Sequence, residues 1–249
     1  MTRPTFALLS LMLVSVVGFL VTPEAEAQQF RNTNLQFHYN FGKEIYDADP
    51  VFYGPSLSAE HFGTDRYGET LVHVDADLGG KEGIADTRWT VARDLKFWDA
   101  PIALHGEYRG GLTRVADRPA VGNAYVVGLD YVYTNSEKDL KLNFVAGYRY
   151  NQNAAKPHGL QLSGYWQWTS WNRLWTLIGY VNAYTTETKS EERAIAFQAE
   201  PQFWLNVNQF EGVSDAFDLS VGIEGRMYCN VFMPDRFLAM PTLALKWNF

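Results

Sequence analysis

The sequence is poor in cysteine, in positive charge and in long apolar segments. Cys229 is the only cysteine, which excludes an intrachain disulfide and a CxxC metal or redox motif. The formal net charge of −7 argues against the basic surface that nucleic-acid phosphates require. After residue 27, no stretch is long and apolar enough for a membrane-spanning helix. Disulfide-stapled, nucleic-acid-binding and helical membrane proteins are therefore not expected.

The first 27 residues have the features of a secretory signal peptide. Arg3 supplies a positive start, residues 6–21 form an apolar run, and Ala25 and Ala27 flank Glu26 in a small-x-small cleavage pattern. An uncleaved anchor is the alternative, because the run is near the length of a bilayer span. Gln28, and no cysteine, follows, so a lipid anchor is not expected. We predict a signal peptide over 1–27 and one domain over 28–249.

After residue 30 the sequence alternates with a period of two. Leu35, Phe37 and Tyr39 alternate with polar residues, so one face suits lipid and the other water. A soluble strand with one wet face would show the same pattern, but the repetition along the whole chain favours a transmembrane barrel. Twelve strands are predicted, at 34–41, 56–62, 70–78, 86–96, 102–111, 121–133, 140–150, 160–168, 174–184, 194–207, 216–228 and 238–249.

Connection lengths and tryptophan positions agree with an all-β, single-chain antiparallel barrel in the bacterial outer membrane. With both termini in the periplasm, the inner turns at 97–101, 135–139 and 169–173 are short, and the outer loops are mostly longer. Tryptophans cluster at these inner turns, where a girdle is expected beside the lipid headgroups. They are Trp98, Trp168, Trp171, Trp175 and Trp247.

The last residues carry a further feature. Leu245, Trp247 and Phe249 stand at alternate positions and end the chain on an aromatic residue. This arrangement resembles the C-terminal signal that the barrel-assembly machinery of the outer membrane recognises. The alternative is an ordinary edge strand that ends on an aromatic residue. We predict that these three residues form the assembly signal.

Twelve strands enclose more space than the side chains of an eight-stranded barrel fill, so the inward faces are the candidate functional surface. Acids and bases are about equally frequent there, which favours a neutral polar solute over an acidic one. Inward Tyr165, Trp204 and Tyr228 could stack on a base or sugar. The alternative is that the charges pair across the lumen and brace the wall. The inward charged residues are His73, Asp75, Asp77, Arg88, His105, Glu107, Arg109, Lys141, Arg149, Glu200, Asp218, Glu224, Arg226 and Lys246.

No catalytic set is apparent. An outer-membrane phospholipase needs a serine activated by a histidine, and none of the five histidines begins the His-x-Ser-Asn-Gly pattern of that enzyme. His158 and Ser163 are five residues apart, with different neighbours. His73 and Asp75 share a face, but two ligands make a weak metal signal. We predict no enzyme activity, metal or cofactor, with a lipid hydrolase as a lesser alternative.

Four segments carry a resemblance to a known family. They are residues 34–42, 71–77, 92–98 and 105–111. Through them the chain resembles the Tsx-like nucleoside-channel superfamily, and especially a small Bacteroidetes-type branch. The resemblance implies a monomeric twelve-stranded barrel that passes nucleosides through weak successive sites. The positions it points to are His38, Asn40, His73, Asp75, His105, Glu107 and Arg109.

The expected function is therefore passive diffusion of small neutral solutes, with nucleosides first. Glu224 and Arg226 are included with the candidate lumen residues. A non-conducting barrel that binds a ligand at its outer loops or supports the envelope is the alternative.

Overall fold

A computed structural model describes residues 31–46, 54–79, 83–114, 121–187, 192–231 and 236–249. It contains twelve strands in one closed barrel, which confirms the predicted fold class. The predicted signal peptide, residues 1–27, lies outside the described residues. The strands are β1 Arg31–Asn40, β2 Pro55–Asp65, β3 Gly68–Asp77, β4 Asp86–Leu95, β5 Ile102–Thr113, β6 Ala124–Thr134, β7 Leu140–Asn151, β8 His158–Thr169, β9 Trp175–Glu187, β10 Arg193–Asn206, β11 Leu219–Cys229 and β12 Phe237–Asn248.

Every strand pairs antiparallel with its two neighbours, and β1 closes the barrel against β12. At the closure, Leu35 lies opposite Trp247 and Tyr39 lies opposite Leu243. Closure leaves no open sheet edge among the described strands, so their backbone donors and acceptors are satisfied within the sheet. A four-residue helix, α1 Gly42–Ile45, and a 3₁₀ turn, Val207–Gln209, interrupt the connections. None of the helices among the described residues has the length and apolar character that a membrane crossing requires.

The outer surface of the barrel is apolar and its interior is polar. Leu35 and Phe37 are each 45% exposed, whereas Gln36 and His38 between and beside them are buried. The same alternation runs through β7, where Phe144 is exposed and its neighbouring inward residues are buried. Because successive side chains of a strand point to opposite faces, the polarity of the two faces follows directly from the sequence. An apolar outer surface around a polar interior is the reverse of the arrangement in a soluble protein and is typical of membrane barrels.

Each predicted strand interval coincides with one strand, and the differences lie at the ends. β9 continues to Glu187, three residues beyond the prediction, because residues Thr185 to Glu187 pair with the start of β10. These residues are polar, so the apolar alternation that marks the lipid-facing part of a strand stops before the pairing does. β11 begins at Leu219, later than the predicted start at 216.

The connections divide between two ends of the barrel. The terminal end holds the start of β1, the end of β12 and the connections 66–67, 96–101, 135–139, 170–174 and 207–218. The loop end holds the described parts of the other connections, which are residues 41–46, 54, 78–79, 83–85, 114, 121–123, 152–157, 192, 230–231 and 236. Trp98, Trp171 and Trp247 lie at the terminal end, where the sequence placed an aromatic girdle. That this end faces the periplasm stays a prediction.

Candidate functional site

A cavity of about 600 Å³ lies inside the barrel. Its lining reaches from Glu69 and Lys141, beside the terminal-end turns, to Gly122 and Asn153 in loop-end connections. Among the described residues, β12 contributes no side chain to the lining and β1 contributes only Asn32. The cavity is therefore displaced towards one side. We call the side formed by β3 to β9 the cavity side. The filled side is formed by β11, β12, β1 and β2, with Trp204 of β10, and the described residues of these strands that reach the lining are Asn32, Glu60, Phe62, Arg226 and Tyr228.

Trp204 anchors the filled side and is fully buried. Its Nε1 donates to Oε1 of Gln202 at 3.0 Å, and Nζ of Lys246 lies 4.1 Å from the indole centroid. Gly222 is its partner across β10 and β11, and a Cβ there would approach Cε3 of the indole to 2.4 Å. A glycine at this position is what allows the indole to lie flat against the wall.

Buried charges join the filled side into one network. Nδ1 of His38 lies 3.0 Å from Oε2 of Glu224, and both side chains are almost wholly inaccessible. Nε of Arg226 lies 3.6 Å from Glu224 and 3.4 Å from Glu200. Burying a charge costs desolvation free energy, and a nearby charge of opposite sign offsets part of that cost. The inward polar residues of β1, such as His38, are therefore part of the wall here, because side chains of β11, such as Glu224, lie in front of them.

Asp75 lies where the filled side meets the cavity. Its Oδ1 accepts a hydrogen bond from Ser58 at 2.7 Å, and Arg88 approaches its Oδ2 at 3.4 Å. Arg226 approaches it from β11 at 3.8 Å. His73, two residues earlier, pairs with Glu60 at 3.4 Å. All of these except Ser58 line the cavity.

A second network lies on the cavity side. Glu107 accepts two hydrogen bonds from Arg109, at 2.6 and 3.1 Å, and one from Gln161 at 3.0 Å. Nδ1 of His105 lies 2.7 Å from Asp94. The carboxylate of Glu107 is buried behind the guanidinium of Arg109, so it is the guanidinium that reaches the cavity. This arrangement fixes Arg109 in place through its fork of parallel hydrogen bonds.

Tyrosine and amide side chains form an uncharged strip on β8 to β10. Nη2 of Arg109 donates to the hydroxyl of Tyr165 at 3.4 Å, and the ring of Tyr165 lies 6.2 Å from that of Tyr180. Gln198 donates to the hydroxyl of Tyr180 at 2.6 Å. Sequence reasoning singled out Tyr165 but missed Tyr180 and Gln198, although both occupy inward positions of the alternation. The strip combines ring faces with hydrogen-bonding groups that carry no charge.

The structure divides the predicted site residues into two groups. Those that line the cavity are His73, Asp75, His105, Arg109, Tyr165 and Arg226. Those that are buried in the wall network, away from the lining, are His38, Asn40, Glu107, Trp204 and Glu224.

The three predicted assembly residues lie at the terminal end of β12. Leu245 points outward from the barrel, and Phe249 is 79% exposed just beyond the strand. The part that Leu245, Trp247 and Phe249 play in assembly stays a prediction.

Comparison with known proteins gives one family and several barrels. The family model described as "Domain of unknown function (DUF5020)" matches residues 32–249, whereas no curated protein matches the chain. Among solved structures, the NanC porin is 12% identical over 86% of this chain and 97% of its own, with a TM-score of 0.49. A BenF-like porin from Pseudomonas fluorescens Pf-5 is 7% identical over 85% of this chain and 58% of its own, at a TM-score of 0.43. An outer membrane channel from Pseudomonas putida F1 is 13% identical over 92% of this chain and 100% of its own, with a TM-score of 0.42.

Proposed function

The chain belongs to the DUF5020 family, and we propose that it is a passive outer-membrane channel for small polar solutes, with nucleosides first among them. The observation that carries this proposal is the extent of the cavity. Its lining includes side chains beside terminal-end turns and residues of loop-end connections. A cavity that reaches both ends of a closed barrel is what a conduit requires. Its volume of about 600 Å³ lies within the roughly 300–1,000 Å³ typical of small-molecule sites.

The location follows from the outer surface. The apolar outward faces of the strands, such as that of β1, require lipid in place of water. Closed antiparallel barrels with this polarity cross the bacterial outer membrane, so we propose that location. We propose a monomer, as the family resemblance implies; the pairing of β1 with both β12 and β2 leaves no edge among the described strands for association by strand addition.

The chemistry of the lining supports a neutral solute. Acidic and basic side chains alternate around the cavity and engage one another, as Arg109 does with Glu107 and Arg226 with Glu200. The described lining residues do not carry the excess of arginine and lysine that an acidic sugar or a phosphate would favour. The strip with Tyr165 and Tyr180 offers ring faces for a flat base. Several weak contacts of this kind suit a channel, because a solute must also leave.

Planar-bilayer recording of the purified protein tests the proposal. We expect a small ion conductance that a nucleoside reduces at micromolar to millimolar concentration. The matched probe is the 5′-monophosphate of the same nucleoside, which should reduce the conductance less because it is charged. If no nucleoside changes the conductance, the nucleoside is wrong as the solute but the channel function still stands. A protein that inserts as a folded barrel and conducts nothing would contradict the channel itself.

A non-conducting barrel is the second candidate, and the pairing of the inward charges favours it. Glu107 accepts hydrogen bonds from Arg109 and Gln161 on the cavity side, and Nδ1 of His38 lies 3.0 Å from Oε2 of Glu224 on the filled side. Charges held in this way would brace the wall whether or not a solute passes. Liposome swelling separates the two candidates. Vesicles that contain the barrel should swell in an isosmotic nucleoside solution if it is a channel, and should stay unchanged if it is a brace.

A further inference from the structure

The side chain of Lys141 crosses the lumen. It starts on β7, and its Nζ lies 2.6 Å from Oε1 of Glu69 on β3. The same Nζ lies 4.0 Å from the ring centroid of Phe62 on β2. In the barrel order, β4, β5 and β6 separate β7 from β3. The bridge therefore joins two wall segments that are four strands apart, whereas the pair of Arg109 and Glu107 stays within one strand.

The bridge stands near one end of the cavity. Glu69 is the second residue of β3, directly after the turn 66–67, and Lys141 is the second residue of β7, directly after the connection 135–139. Both connections belong to the terminal end, and both side chains line the cavity. Asn143 supports the bridge, because its Nδ2 donates to Oε2 of Glu69 at 3.2 Å.

Carboxylates outnumber cations around this bridge. Glu69, Asp94 and Asp130 each place an oxygen within 4.8 Å of the others. Lys141 pairs with the first, and the side chain of His105 contacts the second. Nδ2 of Asn143 donates to Oδ2 of Asp130 at 2.6 Å, and Oδ1 of that carboxylate has no hydrogen-bond partner among the described residues. We call the five lining residues Glu69, Asp94, Asp130, Lys141 and Asn143 the terminal-end mouth.

We propose that the bridge between Glu69 and Lys141 is the selectivity gate of the terminal-end mouth. By crossing the lumen it limits the bore, and by neutralising one of three carboxylates it sets how strongly the mouth favours cations over anions. Rings of acidic side chains make pores cation-selective, and a lysine inside such a ring reduces that preference. The inference rests on the proposed channel function and names the residues that determine its size limit and ion preference.

Two substitutions separate the effect of the bridge on the width of the pore from its effect on ion preference. Lys141→Gln and Glu69→Gln both remove the ion pair, so both should raise the single-channel conductance and admit larger neutral sugars in liposome swelling. Their effects on the reversal potential in a KCl gradient should be opposite. Lys141→Gln leaves a more acidic mouth and should raise the ratio of K⁺ to Cl⁻ permeability by about sevenfold. A unit charge roughly 7 Å from the path in a water-like dielectric changes the permeability of each ion about threefold, in opposite directions for K⁺ and Cl⁻. Glu69→Gln should lower that ratio by a similar factor.

Lys138→Gln is the matched control. Lys138 lies in the connection that precedes β7 and is exposed, so its replacement removes the same charge without touching the bridge. We expect conductance, size limit and reversal potential to stay at their wild-type values. A change as large as that of Lys141→Gln would show that any lysine near this end affects conductance and ion preference in the same way. That result would overturn the assignment of the gate to the bridge.

The outcomes distinguish the gate from the channel. If the wild type conducts nothing, the channel proposal fails first. If the wild type conducts and the two variants keep its bore and its ion preference, or shift the ion preference in the same direction, the gate is wrong. Heat-dependent gel mobility reports whether each variant folds. Should a single variant fail to fold, the exchange Glu69→Lys with Lys141→Glu restores the pair, and the gate requires that it return the conductance to near the wild-type value.

Discussion

The filled side and the cavity side of the barrel are built from the same alternating pattern, yet the cavity is lined mainly by the cavity side. On the filled side, Trp204 and His38 are almost wholly inaccessible and their partners close around them. On the cavity side, Arg109 and Tyr165 bond to their neighbours and still face the lumen. An inward polar residue therefore becomes part of the wall wherever a large side chain on a nearby strand covers it.

The largest loss of stability is expected when Trp204 on the filled side is replaced. Trp204→Ala removes a fully buried indole and leaves a void above Gly222, which should lower the free energy of unfolding by about 3–5 kcal/mol. Because Trp204 does not line the cavity, the concentration of nucleoside that halves the conductance should not change in protein that is folded. Urea unfolding in detergent micelles and bilayer recording measure the two quantities.

Trp204→Phe is the control for that experiment. Phenylalanine keeps most of the ring contact but loses the hydrogen bond to Gln202, so the loss of stability should be a fraction of that caused by alanine. A weaker nucleoside block in either variant would contradict the assignment of Trp204 to the wall and would restore it as a solute contact.

Removing the carboxylate of Glu224 should have the next largest effect. Glu224→Ala leaves His38 without its buried partner and takes one of two carboxylates from the Nε of Arg226. Breaking a buried charged pair costs about 3 kcal/mol or more, so the urea midpoint should fall clearly. The matched change on the cavity side is Asp94→Ala, which removes the nearer of the two carboxylates beside His105 and leaves Glu107, with open space adjoining. An equal loss in both variants would erase the distinction between the two sides.

The sequence was sufficient for the architecture because a barrel repeats one simple rule. Strand alternation fixes which face each residue of β1 or β7 occupies, and twelve repeats of the pattern predict the number of strands. The sites at which strands stop were less predictable. Thr185, Thr186 and Glu187 continue the pairing of β9 beyond its apolar segment, and polar residues at a membrane surface give no periodic signal.

The division of the lumen could not be read from alternation. Trp204 and Tyr165 occupy equivalent inward positions in the sequence, but only Tyr165 lines the cavity. What decides is the residue opposite on the next strand: Gly222 leaves room for the indole to lie against the wall. Contacts between distant strands, such as that of Lys141 with Glu69, depend on how the barrel closes, and no local spacing encodes them.

On the cavity side, Tyr165 should be the most sensitive position for solute. Tyr165→Ala removes a ring face, and because stacking of one base contributes roughly 1–3 kcal/mol, the nucleoside concentration for half block should rise at least about fivefold. Stability should change less than in Trp204→Ala, since the ring borders open space. Titration of the conductance with nucleoside gives the result. Tyr165→Phe keeps the ring and loses only the contact with Arg109, so a block as weak as that of alanine would assign the effect to the hydroxyl and contradict stacking.

The smallest effect is expected at Lys246, which differs from Lys141 mainly in its surroundings. Both are buried lysines beside an aromatic ring, Trp204 in one case and Phe62 in the other. In the part of the chain that the structure describes, Lys141 has a carboxylate within ion-pair distance and Lys246 has none. A buried charge without a close counter-ion can be exchanged for an apolar side chain of similar shape at little cost.

Lys246→Met should therefore change the free energy of unfolding by less than about 1 kcal/mol. It should also leave conductance and ion preference at wild-type values, because Lys246 does not line the cavity. A shift of the reversal potential comparable to that of Lys141→Gln would show that the field of the filled side reaches the permeating solute, and the two sides would then act as one.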